Sequence, residues 1–249
     1  MEETSLGAAA VALRCAERVT VLTGAGVSAA SGVPTFRGAD GLWKQFRAED
    51  LATPEAFARD PRLVWEWYDW RRQLIARCRP NAAHEVLARW SRHWPGFTLI
   101  TQNVDDLHIE AGTRALVRLH GSIWEVRCGS GCAASPARWR DERVPMPELP
   151  PRCPHCGALL RPGVVWFGEM LDPADVAAAH AATRCDVFIT AGTSALVYPA
   201  AGFLHEARQH GATTIEINLE PTPASGLVDI AIQSTAEEAL AAIDRALAG

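Results

Sequence analysis

The sequence lacks the features of a secreted, membrane-spanning or nucleic-acid-binding protein. Residues 1–4 are acidic, and no apolar segment with a cleavage site follows them, as a signal peptide would require. Apolar runs such as residues 8–13 are far too short to span a bilayer. The net charge of -5 provides no overall basic field for nucleic acid. We therefore expect a soluble, cytoplasmic protein with no membrane partner.

The sequence also lacks the even, well-spread set of cysteines that a disulfide scaffold needs. It has 7 cysteines, and four of them fall within one short segment, residues 128–156. Disulfide scaffolds are typical of smaller secreted chains, so another role is indicated. What the chain does have is a hydrophobic fraction of 48% over 249 residues. That is enough for one large domain with an insertion, and we expect a single domain over 1–249 and a monomer.

Short apolar runs with strand character alternate with helical patterns along most of the chain. The predicted strands are residues 19–22, 97–101, 115–119, 186–191, 213–218 and 229–233. The predicted helices between and after them are residues 82–94, 173–183, 200–210 and 236–247. This alternation predicts an α/β fold with a Rossmann-like, mostly parallel sheet and helices on both faces.

Two regions interrupt that alternation. Residues 38–80 are rich in aromatic and charged side chains and have a helical pattern, most clearly over 61–77. Residues 122–163 hold the four clustered cysteines and a proline-rich stretch. We interpret the first as a helical insertion and the second as a zinc module. The Rossmann-like parts are then about 1–37, 81–121 and 164–249, with a cleft where the insertions meet them.

The clustered cysteines predict a metal site. Cys128 and Cys132 form one closely spaced pair, and Cys153 and Cys156 form a second about 20 residues on, as in zinc ribbons and knuckles. Four thiolates leave no open position for water, so we predict one structural Zn²⁺. Buried core cysteines are the alternative, which the surrounding Pro, Gly and Arg residues disfavour. His155 lies inside the second pair, and that position disfavours it as a ligand.

A glycine-rich turn follows the first predicted strand. Residues 24–29 fit the pattern G-x-G-x-x-G/A, in which glycines allow close approach to a pyrophosphate and the next helix presents its N–H groups. The motif alone is weak. An ordinary dehydrogenase would also end its second strand on an acidic residue, whereas Asp40 lies in a Gly-flanked loop. Hydride transfer is therefore disfavoured, and Asn218 and Glu220 after a later strand are alternative contacts for the cofactor.

Three further polar segments follow predicted strands. Asn103 and Asp105 suit a carboxamide ligand, although an Asx-type turn would account for them equally well. His120 suits a general base near neutral pH, and the adjacent Gly121 would let a substrate come close. Residues 192–194 add small donors. Because the carboxyl ends of parallel strands meet at one edge of a sheet, we expect one large polar cleft there.

Taken together, these motifs resemble those of the sirtuins, the NAD-dependent protein deacylases. The matching stretches are residues 24–37, 101–105, 119–121, 164–169 and 192–194, with the two cysteine pairs. They occur in family order and span nearly the whole chain. The resemblance implies NAD as a co-substrate, a structural Zn²⁺, and acyl-lysine proteins or peptides as partners.

The resemblance also implies roles for single residues. The implied NAD contacts are Gly24, Ala25, Gly26, Ser28, Phe36, Arg37, Gln102, Asn103, Asp105, Gly192, Thr193, Ser194, Asn218 and Glu220. Within this set, Ser28, Asn103 and Asp105 would hold the nicotinamide carboxamide, and Phe36 would screen the ribose after nicotinamide leaves. The implied catalytic residues are Asn103 and His120.

In the chemistry that the resemblance implies, the acyl-lysine oxygen attacks the nicotinamide ribose and His120 then activates a ribose hydroxyl. The products are nicotinamide, free lysine and O-acyl-ADP-ribose. A strand-like segment would bind the substrate peptide opposite residues 195–198, through main-chain bonds. It consists of Val165, Trp166, Phe167 and Gly168.

One pair of side chains bears on the choice of acyl group. Tyr68 and Arg71 stand three apart on a predicted helix and so share a face, where they can clamp a carboxylate. From physics alone, a surface arginine on a tryptophan-rich helix is the simpler interpretation. The pair, together with the small residue Ala52, resembles the sirtuin branch that removes succinyl, malonyl and glutaryl groups. We therefore predict that these acyl groups are preferred over acetyl.

Three other functions are open to the same sequence. One is a plain deacetylase, and another is a mono-ADP-ribosyltransferase that uses the same NAD cleft. His120 beside a peptide-binding segment favours deacylation over the transferase. The third is nucleic-acid binding through residues 122–163, which carry a slight positive excess but no interleaved stacking aromatics. Nucleic acid is therefore not an expected partner.

Overall fold

The computed structural model describes residues 3–35 and 47–248, so Phe36, Arg37 and Asp40 lie outside the described residues. The helices are α1 Glu3–Arg14, α2 Gly26–Ala29, α3 Ala48–Leu51, α4 Pro54–Arg59, α5 Pro61–Ile75, α6 Ala82–His93, α7 Leu107–Glu110, α8 Pro173–Ala182, α9 Ala200–Gln209 and α10 Ala236–Ala248. The strands are β1 Arg18–Thr23, β2 Gly96–Thr101, β3 Leu116–Arg118, β4 Gly121–Cys128, β5 Trp139–Arg140, β6 Leu160–Val164, β7 Val187–Ala191, β8 Thr213–Asn218 and β9 Ile230–Gln233.

The larger sheet of the described residues has six strands in the order β3-β2-β1-β7-β8-β9. Every neighbouring pair is parallel. Thr23 at the end of β1 lies opposite Thr101 of β2 and Ala191 of β7. The carboxyl ends of the central strands therefore share one edge. The predicted Rossmann-like parallel sheet is confirmed.

Helices cover both faces of this sheet because successive strand residues point to opposite sides. On one face, α1, α6 and α10 pack against Val19 and Val21 of β1 in one apolar cluster. On the other face, α8 and α9 pack against Leu22 and Phe188. Helix α1 was missed in the sequence, where its alanine-rich stretch was noted only as an apolar run. It forms because α10 and the sheet bury one side of it.

The small sheet is antiparallel, in the order β5-β4-β6. Its strands were not predicted, although residues 122–163 were correctly separated from the large sheet. Strand β4 begins at Gly121 and ends on Cys128, and β6 ends at Val164. Cys128, the first cysteine of the cluster, is therefore the last residue of strand β4 in this sheet.

Helix α5 joins the small sheet to the rest of the molecule. Its start is capped by Asp60, whose carboxylate accepts from the N–H of Leu63 at 2.9 Å. On its buried side, Trp65 Nε1 donates to the Leu160 carbonyl at 2.8 Å. Arg72 Nε donates to the Ile123 carbonyl at 2.8 Å. The helix is thus fixed to both long strands of the small sheet.

The basic side chains of the described residues are arginine and histidine only. The sequence contains one lysine, Lys44, and it lies outside them. The arginines pair with carboxylates across elements, as in Arg161 with Glu169 and Arg89 with Asp244. None of the described helices combines the length and apolar character that a membrane crossing needs.

Candidate active site

Three glycines let two loops meet at the carboxyl edge of the large sheet. Gly24 N–H donates to the Ala191 carbonyl at 3.1 Å, and Gly26 N–H donates to the Gly192 carbonyl at 2.9 Å. A Cβ on Gly26 would lie 2.8 Å from Gly192 Cα, and Gly192 itself has φ +58°. The loops after β1 and β7 are therefore in direct contact, which requires glycine at these positions.

The short helix α2 differs from the expectation of exposed N–H groups. The N–H groups of Val27 and Ser28 donate to the carbonyls of Gly24 and Ala25, both at 3.1 Å. Together with Gly26, three consecutive N–H groups are used inside the protein. The tight turn over Gly192 is the physical reason, and it leaves side chains as the main polar groups of this loop.

Ser28, Asn103 and Asp105 form one buried polar cluster, as the family resemblance implied. Ser28 Oγ donates to Asp105 Oδ2 at 2.7 Å. Asn103 Nδ2 donates to Ser28 Oγ at 3.2 Å and to the Gly24 carbonyl at 3.1 Å. Burial raises the pKa of Asp105, and the hydrogen bonds from Leu107 N–H and Ser28 lower it. The Asx-type turn is also present, because Asp105 Oδ1 accepts from Leu107 N–H at 2.9 Å.

His120 follows β3 and is held by one backbone contact. Its Nδ1 donates to the Gln102 carbonyl at 2.9 Å. A carbonyl oxygen can only accept, so the ring proton of the neutral imidazole is on Nδ1 and the lone pair is on Nε2. Burial lowers the pKa of His120, although the contact with Gln102 raises it by less. The imidazole is therefore neutral at pH 7, with Nε2 as its basic atom.

Gly121 has a different role from the one expected. It has φ +75°, and a Cβ there would lie 2.2 Å from the Gly163 carbonyl oxygen. The residue is glycine because β4 and β6 cross closely at this point, rather than to admit a substrate.

The remaining predicted NAD contacts lie at the ends of β2, β7 and β8. Gln102 Nε2 donates to Thr193 Oγ1 at 2.9 Å, which links the loops after β2 and β7. Ser194 is half-buried beside them. Asn218 Nδ2 donates to the Glu220 carbonyl at 3.0 Å, just after β8. These residues share one sheet edge with His120, as predicted.

Tyr68 and Arg71 lie on the inner side of α5. Tyr68 is 2% exposed, and burial raises its pKa to about 12, so the phenol is neutral. The Arg71 guanidinium lies 5.0 Å from the ring centroid of Trp67. Burial lowers the pKa of Arg71, while electrostatic interactions with Tyr68 and Asp105 raise it. Arg71 is therefore a half-buried cation that interacts electrostatically with Asp105, which favours a role in the pocket over the surface-arginine interpretation.

The predicted peptide-binding segment connects His120 to this pocket. Val165 N–H donates to the His120 carbonyl at 3.0 Å, and Phe167 N–H donates to the Ala52 carbonyl at 2.9 Å. Trp166 N–H donates to Glu169 Oε2 at 2.9 Å. The Trp166 carbonyl also accepts from the Glu169 N–H at 3.0 Å, so the carbonyls of Val165 and Phe167 are the candidate acceptors for a ligand. Gly168 has φ +84° and ends the extended stretch.

The segment predicted to lie opposite, residues 195–198, exposes two large apolar side chains. Leu196 is 53% exposed and Tyr198 is 78% exposed. Exposed apolar side chains beside a polar cleft are typical of a binding surface.

The four clustered cysteines converge as predicted. Their sulfur atoms all lie within 4.8 Å of one another. Cys128 and Cys156 are 3.6 Å apart, and Cys132 and Cys153 are 3.9 Å apart. Tetrahedral zinc with Zn–S bonds of about 2.3 Å separates its sulfurs by about 3.8 Å, so the donor set fits zinc. Three residues separate Cys128 from Cys132, one more than in the second pair, and they form a turn in which Gly131 N–H donates to the Cys128 carbonyl at 3.1 Å.

Comparison with known proteins agrees with this geometry. Residues 24–199 match the model of the Sir2 family. The chain belongs to the Sir2 family, the sirtuins. It is 51% identical over 223 residues to the NAD-dependent protein deacylase of Aquifex aeolicus, covering 89% of this chain and 92% of that protein.

Solved Sir2 family structures have the same fold. A crystal structure of a Sir2 homologue–NAD complex superposes with a TM-score of 0.89 at 44% identity and covers 100% of this chain and 94% of that chain. A complex described as Sir2–p53 peptide–NAD⁺ gives a TM-score of 0.84 at 26% identity, over 95% of each chain.

This Sir2 family chain also places two further histidines, His84 and His108, under the cleft. His84 Nε2 lies 3.4 Å from Ser28 Oγ, and His108 Nε2 lies 3.1 Å from Thr23 Oγ1. Burial lowers the pKa of His84 to about 4 and that of His108 well below its usual value. The sequence feature that could have located His84 is the capping pattern at the start of α6, in which His84 accepts from the N–H of Asn81.

Proposed function

We propose that the chain is an NAD-dependent protein-lysine deacylase that prefers succinyl, malonyl and glutaryl groups and removes acetyl more slowly. The observation that carries the reaction class is the neutral imidazole of His120, bonded to a peptide-binding segment and next to the Ser28 cluster. The observation that carries the acyl preference is Arg71 beside Tyr68 on the inner side of α5.

NAD is the second substrate, and it supplies the ADP-ribosyl group that accepts the acyl group. Asn103 and Asp105, linked through Ser28, offer the amide and carboxylate groups that a carboxamide requires. The loops of Gly24 and Gly192 allow the backbone to approach the phosphates. Ser194, Asn218 and Glu220 are the proposed contacts to the remainder of NAD, with Phe36 and Arg37 assigned by the family pattern alone.

His120 acts as the general base in this proposal. Its Nε2 accepts the proton of a ribose hydroxyl, and Nδ1 already donates to the Gln102 carbonyl. That carbonyl stabilises the imidazolium as it forms, because its contact strengthens when the ring becomes positive. Proton transfer of this kind contributes about 10²- to 10⁴-fold to the rate.

The substrate peptide binds as an extended strand between residues 165–168 and 195–198. In this proposal the carbonyls of Val165 and Phe167 accept from the peptide N–H groups, since the N–H groups of the segment and the Trp166 carbonyl are already engaged. Main-chain contacts give affinity with little dependence on peptide sequence.

An acidic acyl group would end between Tyr68 and Arg71. Arg71 supplies a planar, charged donor for the carboxylate, and the neutral phenol of Tyr68 supplies an O–H donor. Ala52, which is 7% exposed, leaves room for a chain longer than acetyl.

The zinc is structural in this proposal, because Cys128, Cys132, Cys153 and Cys156 fill its coordination shell. We propose that residues 122–163 form this module with the helical insertion 38–80 beside it. The Rossmann-like parts are 1–37, 81–121 and 164–249.

A direct test supplies the purified protein with NAD and one peptide in acetyl-lysine and succinyl-lysine forms. We expect NAD-dependent succinyl loss faster than acetyl loss, with O-succinyl-ADP-ribose detected by mass spectrometry. Faster acetyl loss would support the assignment as a deacylase and would reject the preference for acidic acyl groups. Nicotinamide release without any acyl-peptide would favour the ADP-ribosyltransferase.

A further inference from the structure

Trp166 connects the peptide-binding segment to the phenol of Tyr68. Its Nε1 lies 2.9 Å from Tyr68 Oη. An indole N–H can only donate, whereas a phenol can both donate and accept. Trp166 is therefore the donor and Tyr68 the acceptor in this contact. The hydroxyl proton of Tyr68 remains available for a second partner.

The indole is held rigidly in this position. It is 2% exposed and packs on the ring of Phe57, with centroids 5.2 Å apart. On its other side the Arg161 guanidinium lies 3.6 Å from the ring centroid. Arg161 is fixed in turn by two bonds to Glu169, at 2.7 and 2.8 Å. A donor locked this way sets the direction of the hydrogen bond at Tyr68.

We propose that Trp166 is a positioning residue for acyl specificity, which turns the Tyr68 hydroxyl proton toward the carboxylate of an acidic acyl group. This inference rests on the proposed acyl preference. The indole N–H occupies the lone pair through which the phenol would otherwise accept, so Tyr68 presents a donor to the pocket. An acetyl group has no carboxylate to accept that hydrogen bond, so acetyl removal does not depend on the direction of the Tyr68 hydroxyl.

Trp166→Phe is the direct variant, because phenylalanine keeps an aromatic ring between Phe57 and Arg161 and removes the N–H donor together with part of the indole volume. We expect KM for the succinyl peptide to rise about tenfold, because the hydrogen bond from the Tyr68 hydroxyl to the acyl carboxylate is weakened. We expect kcat to change little. The acetyl peptide shares any loss that comes from the peptide-binding segment, so the readout is the ratio of succinyl to acetyl kcat/KM, which should fall about tenfold. Melting temperature and acetyl-peptide activity report whether the variant is folded.

Trp65→Phe is the matched control. Trp65 lies on the same helix as Tyr68 and donates through Nε1 to the Leu160 carbonyl at 2.8 Å. It also loses one buried indole N–H, but that group does not bond Tyr68. We expect this variant to affect the two peptides equally.

A double-mutant cycle separates the possible causes. Tyr68→Phe should lower succinyl activity selectively, and adding Trp166→Phe to it should cost nothing further, because the two groups act as one unit. Trp166→Tyr restores a hydroxyl donor and should retain more succinyl preference than Trp166→Phe.

Several results would overturn the inference. Equal losses on both peptides in Trp166→Phe would mean a purely structural role. Additive losses in the cycle, or the reverse order of Trp166→Tyr and Trp166→Phe, would also reject it. If Tyr68→Phe is selective and Trp166→Phe is neutral, only the role of Trp166 fails. If Tyr68→Phe itself leaves selectivity unchanged, the acidic-acyl preference fails.

Discussion

Burial sets the charge of single side chains in the cleft. His120 is neutral because its ring is buried and its Nδ1 donates to a carbonyl. Tyr68 stays protonated because its oxygen is removed from water, which raises its pKa to about 12. Both groups are therefore in the protonation state that the proposed reaction uses, a base at His120 and a donor at Tyr68.

The pH dependence of deacylation should report His120. Its pKa is lowered from 6.5, so protonation of Nε2 begins only as the pH falls below that value. We expect kcat/KM to be flat above pH 7 and to fall on an acid limb whose midpoint lies below 6.5. Activity of the succinyl peptide between pH 5 and 8 tests this, with circular dichroism to verify folding. A midpoint above 6.5 would contradict the assignment.

Arg71 should separate acidic from neutral acyl groups. Arg71→Met keeps much of the side-chain length and removes the charged donor, so we expect succinyl kcat/KM to fall about 10- to 100-fold and acetyl to change less than about twofold. Arg62→Met is the control on the same helix, since Arg62 is 73% exposed and pairs with the nearby Glu66. Equal loss of both activities in Arg71→Met would remove the residue from the acyl pocket.

Not every residue contact was open to prediction. The meeting of Ser28 with Asp105 was implied by the family resemblance, and it is consistent with two strand ends of one parallel sheet. The bond between Trp166 and Tyr68 joins residues 98 apart in the chain and depends on how α5 packs against the small sheet. Side-chain spacing on a helix contains no information about that packing. For the same reason, the place of His84 below Ser28 was missed.

At the scale of elements, α5 depends on one buried cation. Arg72 is 0% exposed, and its guanidinium donates to the Ile123 carbonyl and lies 3.9 Å from Asp141. Burial lowers the pKa of Arg72 to about 10, which still leaves it charged at pH 7. The helix that carries Tyr68 and Arg71 is thereby attached to the zinc module.

Removing that cation should destabilise the whole chain. The Asp141 side chain is 5% exposed, and Arg72→Met removes its buried cationic partner. We therefore expect the free energy of unfolding to fall by about 3 kcal/mol. Arg62→Met breaks only an exposed pair and should cost less than about 0.5 kcal/mol. Urea denaturation of both variants measures the difference. Similar small losses would show that Arg72 is dispensable for attachment.

Elements with a strong local pattern were predicted, and elements stabilised by distant partners were not. The strands of the large sheet are continuous apolar runs, and α6 begins at a capping residue, so their patterns were readable. Strand β4 mixes glycine, charge and aromatic residues, and it exists because β6 pairs with it from 32 or more positions away. Such a partner leaves no periodic signal in the strand itself.

At the scale of the whole molecule, two buried histidines predict a loss of stability in acid. The pKa of His84 is about 4 when folded and 6.5 as an ordinary histidine, and that of His108 is lowered in the same direction. The unfolded chain therefore binds more protons, and the free energy of unfolding falls as the pH drops from 6.5 toward 4. For His84 the full loss is on the order of 3 kcal/mol.

Urea unfolding at several pH values between 4.5 and 7.5 measures this slope. His84→Gln keeps a polar side chain near Ser28 and cannot take up a proton, so we expect its slope to be smaller by up to one proton per molecule. An unchanged slope would mean that the folded and unfolded chains bind a proton at His84 equally, so that folding does not lower its pKa, which would contradict the linkage.

The almost exclusive use of arginine has a consequence for a protein proposed to act on acyl-lysine. Reactive thioesters acylate unprotonated amines, whereas a guanidinium stays protonated and is a poor nucleophile. With Lys44 as the one lysine side chain in the sequence, spontaneous acylation has almost no target on this molecule. Metabolic conditions that cover other proteins with acyl marks would thus leave the surface charge of this chain nearly unchanged.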